Sequence, residues 1–433
     1  MTRAAAIRPR GLTRRRFLGA APAALLASAL GGCASAPSAA APKVVVVGGG
    51  YGGATAARYL RMWSAGAVGV TLVERDAAFV SCPLSNLVIG GSRQLADITL
   101  AYDGLEKWGV RRIRDEAIAI DPSARIVRLA HGAALPYDRL VLSPGVDFIY
   151  DDIPGLRSAA ARARVLHAWK AGPQTACLRA QLEAMRDGGV FAIHVPKAPY
   201  RCPPAPYERA CQVAHYFARY KRRSKVIVLD ANGEVQSEAA LFAAAWDGRY
   251  KGYVEYRPNS ELVDVDLAAS MLKLDFDDVR ADVINVIPPQ QAGAIARQPG
   301  LANANGRFCQ VDFLSYESTA QAGIHVLGDA IQVAPLMPKS GHMANQHGKV
   351  CAAAVIALLR GTEVNPSPVF ASACYSYIDD REVVHVSSVH AYDSVQKTMR
   401  VVPGSGGVSA APSAGERVYA EAWARNIWFD MLG

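Results

Sequence analysis

Several things are missing from this chain, and each absence excludes a class of function. The apolar stretch Phe17–Leu30 is too short to span a bilayer, and nothing later in the sequence supplies a membrane span. No C-x-x-C-H heme-attachment site is present, and no His/Cys/Asp group has metal-ligand spacing, so the expected metal set is none. Acids are absent from the first 41 residues, which hold six arginines. The formal net charge of +9 therefore falls to about +3 over the remainder, and the basic balance gives no case for nucleic-acid binding.

That first stretch reads as a targeting segment. Thr13-Arg14-Arg15-Arg16-Phe17-Leu18 is a twin-arginine pattern followed by an apolar run, so residues 1–41 are expected to be an export signal and the product periplasmic. Leu30-Gly31-Gly32-Cys33 resembles a lipoprotein processing site, which leaves open a lipid anchor through Cys33; ordinary cleavage among the small residues up to Ala41 is the favoured alternative. An export compartment permits disulfides, yet seven cysteines remain after Cys33, and seven cannot all pair.

The informative stretch is Lys43–Glu74. Four valines, Val44–Val47, suit a strand buried on both faces of a parallel sheet. Gly48, Gly50 and Gly53 then form G-x-G-x-x-G, a helix follows, and a second strand ends at Glu74, 26 residues after Gly48. In such a unit the first glycine makes a tight turn. The second lets a pyrophosphate reach the backbone, and the third lets helix and strand pack closely; the acid accepts from a ribose hydroxyl. The helix N-terminus adds free N–H groups for the phosphates.

A second α/β unit follows: helix Gln174–Arg186, strand Gly189–Val195, helix Tyr207–Tyr220 and strand Lys225–Leu229, closed by Asp230. Its turn, Pro196–Pro206, contains five prolines and no glycine, so it offers no cradle for a pyrophosphate. A meander is expected over Val254–Tyr256, Leu262–Asp266 and Met271–Asp275. Later, Gly328-Asp329 follows a buried strand, a position from which an Asp can bond the ribityl chain of FAD. Met337-Pro338-Lys339 then opens a long helix, Ser340–Leu359, whose N-terminus could stabilise charge on a flavin. The fold class read from this order is α/β: two Rossmann-like dinucleotide-binding domains, the second without NAD, and a smaller C-terminal α+β domain. The expected boundaries are 42–155 with 290–360 for the FAD domain, 156–289 for the NAD-like domain and 361–433 for the last.

The stretches VVVVGGGYGGATAARYLR, SCPLSNLVIGG, YRCPPAPYERA, INVIPPQ, IHVLGDA, LMPKSGH, SACYSY and AWARNIW together resemble the flavin-binding subunit of flavocytochrome c sulfide dehydrogenase. The resemblance covers nearly everything after Ala41. It implies FAD held covalently through Cys82, a redox-active disulfide between Cys202 and Cys374, an acid, Glu208, beside that disulfide, and Trp423 near the flavin. It also implies sulfide oxidation, with electrons passed to a c-type cytochrome subunit, which must carry any heme. His342 and His347 stand where less basic side chains are expected. Other readings of the residues remain at this point. Cys82 could be a core thiol, although Ser81, Pro83 and Ser85 are poor core neighbours; Cys202 and Cys374 could form a structural staple. Cys177, Cys211, Cys309 and Cys351 read as packing thiols, and His194 as a satisfied core histidine. The rival activities are a sulfide:quinone oxidoreductase, for which the terminal helix with Trp423, Trp428 and Phe429 is the one candidate membrane contact, and a non-enzymatic flavin electron-transfer or docking subunit.

Overall fold

The computed structural model describes residues 41–433; the expected leader, with its twin-arginine pattern and Cys33, lies outside the described residues. The Lys43–Val47 strand, buried from Val44 onward, sits at the centre of a five-stranded parallel sheet. The spatial order is Ile324–Val326, Arg139–Leu142, Lys43–Val47, Gly69–Val73, Arg111–Ile113. The edge strand from late in the chain returns beside Arg139–Leu142, so Gly328 and Asp329 arrive at the same sheet end as the glycine turn.

Two helices cover this sheet, Tyr51–Trp63 and Gly341–Arg360, and glycine sets how closely they approach. A Cβ on Gly348 would lie 2.5 Å from the Gly52 carbonyl oxygen, and one on Gly53 only 1.9 Å from the Gly48 carbonyl oxygen. Gly48 has φ +95, and a Cβ there would meet the Ser143 carbonyl oxygen at 2.3 Å. Around Gly50, by contrast, a Cβ would meet nothing within 4 Å. The turn, the packing and the open cradle are thus divided among Gly48, Gly53 and Gly50.

The second sheet is also parallel, in the order Val254–Arg257, Lys225–Asp230, Val190–Val195, Val283–Val286. This corrects the expected meander. Val254–Arg257 follows a helix, Ala239–Asp247, not anticipated from the sequence; that helix is the crossover that brings the strand in parallel. The antiparallel meander is instead Leu262–Asp266, Met271–Leu274 and Asp278–Arg280. On helix Pro173–Ala184 the buried stripe is Thr175, Leu178 and Leu182, while Ala176 and Ala180 face solvent. The C-terminal part is an antiparallel sheet led by Val369–Tyr377 and Val383–Asp393, followed by helix Ala414–Leu432. Asn345 donates to Asp430 at 2.7 Å, and Trp428 Nε1 to Tyr51 Oη at 3.1 Å, fastening the last helix to both covering helices. Among the described residues no helix is long and apolar enough to cross a membrane.

The division among the glycines is testable by urea unfolding. Gly53→Ala should cost about 2–4 kcal/mol, because its clash is with backbone that cannot rotate away. Gly50→Ala should shift the midpoint by less than about 1 kcal/mol.

Candidate functional site

The carboxyl end of the first parallel sheet and the proline-rich turn after Val190–Val195 in the second open on one cavity of about 580 Å³. Open α/β folds place ligands there because strand ends and helix N-termini leave backbone donors unpaired. Of the residues expected to act, Gly48, Gly50, Glu74, Cys82, Cys202, Glu208, Gly328, Asp329, Lys339, Cys374 and Trp423 all line it. Gly53 does not; it is buried under the turn, in the packing role expected of it. Met337 and Pro338 do not line it either. Leu336 takes φ +61, and the chain turns there so that Met337 enters the core and Lys339 and Ser340 face the cavity.

Cys82 begins the turn before the short helix Ser85–Gly90; it is half-buried, and the Ala171 N–H points at its sulfur at 3.3 Å. Cys202 lies in the proline-rich turn at φ +56, a left-handed conformation that costs a non-glycine residue energy and marks sites where surrounding structure dictates the backbone. Its N–H donates to the Lys339 carbonyl at 2.7 Å, and the preceding Arg201 N–H to Gln290 Oε1 at 3.0 Å, which pins the turn from both sides. Cys374 lies in the Val369–Tyr377 strand opposite Val386. Both cysteines are half-buried free thiols here. Burial pushes the Cys202 thiol well above its ordinary value, with Cys374 adding to the rise and Arg201 opposing it. Burial, with the neighbouring Glu238 next in weight, pushes Cys374 up to about 12.

Glu208 joins three segments. Its Oε1 accepts from the Tyr377 N–H at 3.0 Å and its Oε2 from Asn86 Nδ2 at 2.7 Å. Burial pushes it up to about 7, against the lowering effect of those two bonds and of Arg209. Arg209 is 1% exposed and donates to Asn86 Oδ1, to Asn285 Oδ1 and to the His167 and Ala168 carbonyls. Lys339 is buried and donates to the Asp329 and Ile331 carbonyls; burial pulls it down to about 8. The Trp423 indole N–H points at His342 Nδ1 at 3.4 Å, and the same nitrogen accepts from the Ala373 N–H at 3.0 Å. His347 Nδ1 accepts from the Gly328 N–H at 3.3 Å, so it shapes the Gly-Asp turn from behind.

In the second domain the acid after the glycine-free turn is already satisfied. Asp230 is fully buried and accepts from Tyr207 Oη at 2.7 Å, Tyr256 Oη at 3.1 Å, and the Asn232 N–H and Nδ2 at 2.9 and 2.7 Å. Four bonds fill a carboxylate's acceptor sites and leave none for a ribose.

Three family models match successive stretches of the chain. Residues 42–174 match pyridine nucleotide-disulphide oxidoreductase, residues 175–288 the central region of the sulfide dehydrogenase [flavocytochrome c] flavoprotein chain, and residues 366–432 flavocytochrome c sulphide dehydrogenase, flavin-binding. Two of the three models, over residues 175–288 and 366–432, describe flavoprotein chains of flavocytochrome c sulfide dehydrogenase. Among curated proteins it is similar to the mitochondrial sulfide:quinone oxidoreductase of Dictyostelium discoideum, 23% identical over 64% of this chain and 63% of that protein. The mouse protein of the same description is 22% identical over 69% and 67%. The chain thus spans less than two thirds of the first relative. In fold it is similar to the sulfide:quinone oxidoreductase of Aquifex aeolicus, with TM-score 0.75, 17% identity, and coverage of 90% and 91%.

The residues present fit FAD. The space beside Gly50 is open to a pyrophosphate, and Asp329 Oδ1 is buried without a protein partner, as a carboxylate awaiting a ribityl hydroxyl would be. Glu74 is partly committed, accepting from the Gly49 N–H at 2.6 Å and the Asp76 N–H at 2.9 Å.

Sequence reading missed Asn86, Arg201, Arg209 and Ser340. The signal was present for three of them: Asn86 is in SCPLSN, and Arg201 and Arg209 are in YRCPPAPYERA, but nothing in one sequence tells a structural arginine from a surface one. It also misplaced two residues. Cys177 is exposed, not a packing thiol, and His194 is buried with both ring nitrogens unpartnered. Folding also brings His215, Asp379 and Asp380 together, but Asp379 pairs with Arg249 and Asp380 with Arg219, so the acids already have counter-charges.

Because the folded state holds the Glu208 proton to about pH 7 and the unfolded chain only to about 4.5, the folded protein binds more protons between those values. Its stability therefore falls as pH rises through that window. Relative to Glu208→Gln, whose side chain does not titrate, the wild type should lose about 3 kcal/mol between pH 4.5 and 7.5, read from urea midpoints.

Proposed function

We propose that this chain oxidises hydrosulfide through a Cys202–Cys374 disulfide, with FAD attached through Cys82, and delivers the electrons to a c-type cytochrome subunit. The single observation that carries this reading is the meeting of three cysteines from three distant segments, with Glu208, in one cavity that also contains the glycine turn. FAD, when bound, supplies a carrier that accepts an electron pair and passes electrons on.

The chain's own part begins with entry of hydrosulfide. It attacks one sulfur of the bridge, the Cys–Cys bond breaks, a cysteine persulfide forms, and the electron pair remains on the other sulfur as a thiolate. Glu208 is matched to proton exchange near neutral pH, since burial holds it at about 7, and it adjoins both the Cys202 turn and the Cys374 strand. The proline-rich turn carries Cys202 where a nicotinamide-binding domain would carry phosphate-binding glycines.

The second reading, sulfide:quinone oxidoreductase, is favoured by the curated relatives and the solved structure. The terminal helix gives it little support as a membrane contact: Trp428 is 9% exposed and bonded to Tyr51, Trp423 faces the cavity, and Phe429 alone of the three is well exposed, at 70%. We place the protein in the periplasm on the twin-arginine pattern, with Cys33 as an alternative lipid anchor.

Anaerobic stopped-flow mixing with sulfide tests the chemistry. Cys202→Ser and Cys374→Ser should each lower flavin reduction at least about a thousandfold per flavinated molecule. A merely structural bridge would instead lower stability by about 2–4 kcal/mol with turnover intact. Sulfide-reduced protein should pass electrons to cytochrome c; reduction of ubiquinone analogues alone would favour the quinone reading. Covalent attachment has its own check. Acid-denatured wild type should retain the mass of FAD on the Cys82 peptide, and Cys82→Ser should release its flavin into the supernatant.

A further inference from the structure

Five cationic side chains line the cavity, and four of them are already spent on protein acceptors. Arg209 donates to Asn86, Asn285 and two carbonyls, and Lys339 to the Asp329 and Ile331 carbonyls. Lys170 pairs with Asp147 at 3.3 Å and Arg75 with Glu116 at 3.2 Å. The fifth is Arg201. Among the described residues no protein oxygen accepts from its guanidinium, and it lines the cavity together with Cys82, Cys202 and Asp329.

Arg201 is half-buried on the cavity wall, so its five N–H donors are open to an anion that enters the cavity. The reacting sulfur of the adjacent Cys202 is a weak acceptor when neutral and a good one when charged. The backbone on either side is fixed, by Gln290 Oε1 on the Arg201 N–H and the Lys339 carbonyl on the Cys202 N–H, so the side chain is held on the cavity wall beside the reacting sulfur.

We infer that Arg201 is the anion-holding residue of the reaction: it receives hydrosulfide and then stabilises the thiolate formed beside it. This rests on the sulfide reading above. The step balances around one charge. Hydrosulfide enters with one negative charge, its sulfur is oxidised as it bonds to a cysteine sulfur, and the Cys202–Cys374 bond is reduced by the same electron pair. The hydrogen stays on the persulfide, and the single negative charge now rests on the expelled cysteine sulfur. One fixed cation can serve the reactant and the product of that step, because the charge moves only from one sulfur to another within the same wall of the cavity. The neighbouring acids Glu208 and Asp329 would otherwise repel both anions, and Glu238 would do so on the Cys374 side.

The test uses the flavinated protein, with Arg201→Met and Arg201→Lys compared with wild type. Two reductants of the disulfide are used, hydrosulfide and an uncharged phosphine. Arg201→Met should need at least tenfold more sulfide for half-maximal flavin reduction, whereas its reaction with the phosphine, which brings no charge into the cavity but still expels a thiolate, should fall by a clearly smaller factor, and Arg201→Lys should recover most of the sulfide dependence. A second readout does not involve turnover. After reduction, the pH at which Cys202 becomes open to iodoacetamide, read by peptide mass, should rise by about one to three pH units in Arg201→Met. Equal losses with both reductants, an unchanged sulfide dependence, or an unchanged Cys202 alkylation profile would each overturn the proposal. If Arg201→Met fails to fold or to load flavin, Arg201→Gln carries the same expectations. A wild-type protein that sulfide does not reduce would overturn the sulfide reading and this inference together. Normal wild-type reduction with an unaltered Met variant would overturn the role of Arg201 alone.

Discussion

The site depends on one buried pair of neighbours, Glu208 and Arg209. They are adjacent on helix Ala205–Tyr220, and between them they reach the Cys82 turn through Asn86, the Cys374 strand through the Tyr377 N–H, and the segment before helix Pro173–Ala184 through the His167 and Ala168 carbonyls. No two of these segments are close in sequence. Removing one partner from a buried charged network typically costs about 3–5 kcal/mol, because the remaining charge stays buried without its bonds. The network therefore does more than orient a carboxyl. It keeps the two domains and the C-terminal sheet in the register that puts three cysteines on one cavity.

The two parallel sheets divide the labour. In the first, glycine removes side chains where a ligand's phosphates need backbone. In the second, the equivalent turn is filled with proline, its acid is saturated by Tyr207, Tyr256 and Asn232, and a cysteine occupies the vacated place. A left-handed cysteine backbone is unfavourable on its own. It persists because Gln290 and Lys339 hold the flanking amides.

Much of this architecture was legible in the sequence because it rests on local patterns. Four valines, a glycine turn and a terminal acid define a strand, a helix start and a second strand within 32 residues, Lys43–Glu74, and each glycine does in space what its position implies. What stayed hidden depends on distant partners. Val254–Arg257 could not be told from an antiparallel strand until the helix before it was recognised as a crossover. Met337 and Pro338 looked like site residues because they precede a helix; the left-handed Leu336 sends Met337 inward instead. Cys177 read as a packing thiol because it lies in a helical stretch, and only the fold shows that the buried face of that helix is Thr175, Leu178 and Leu182.

Charge explains why the arginines escaped notice although they sit beside the motif cysteines. A surface arginine and a buried one are the same letter, and the difference lies in what receives their N–H groups. Arg209 ends on carbonyls and amides, all fixed acceptors, so it stabilises a structure. Arg201 has no protein oxygen accepting from it among the described residues and stands on the cavity wall beside Cys202, whose capacity to accept changes with its charge. The first interaction has the same strength whatever the state of the site; the second strengthens when a sulfur becomes an anion. Only an interaction that strengthens as the reaction proceeds can favour the reaction over the resting state. That physical difference, between an acceptor that is constant and one that the chemistry creates, separates the two arginines of YRCPPAPYERA more sharply than their burial does.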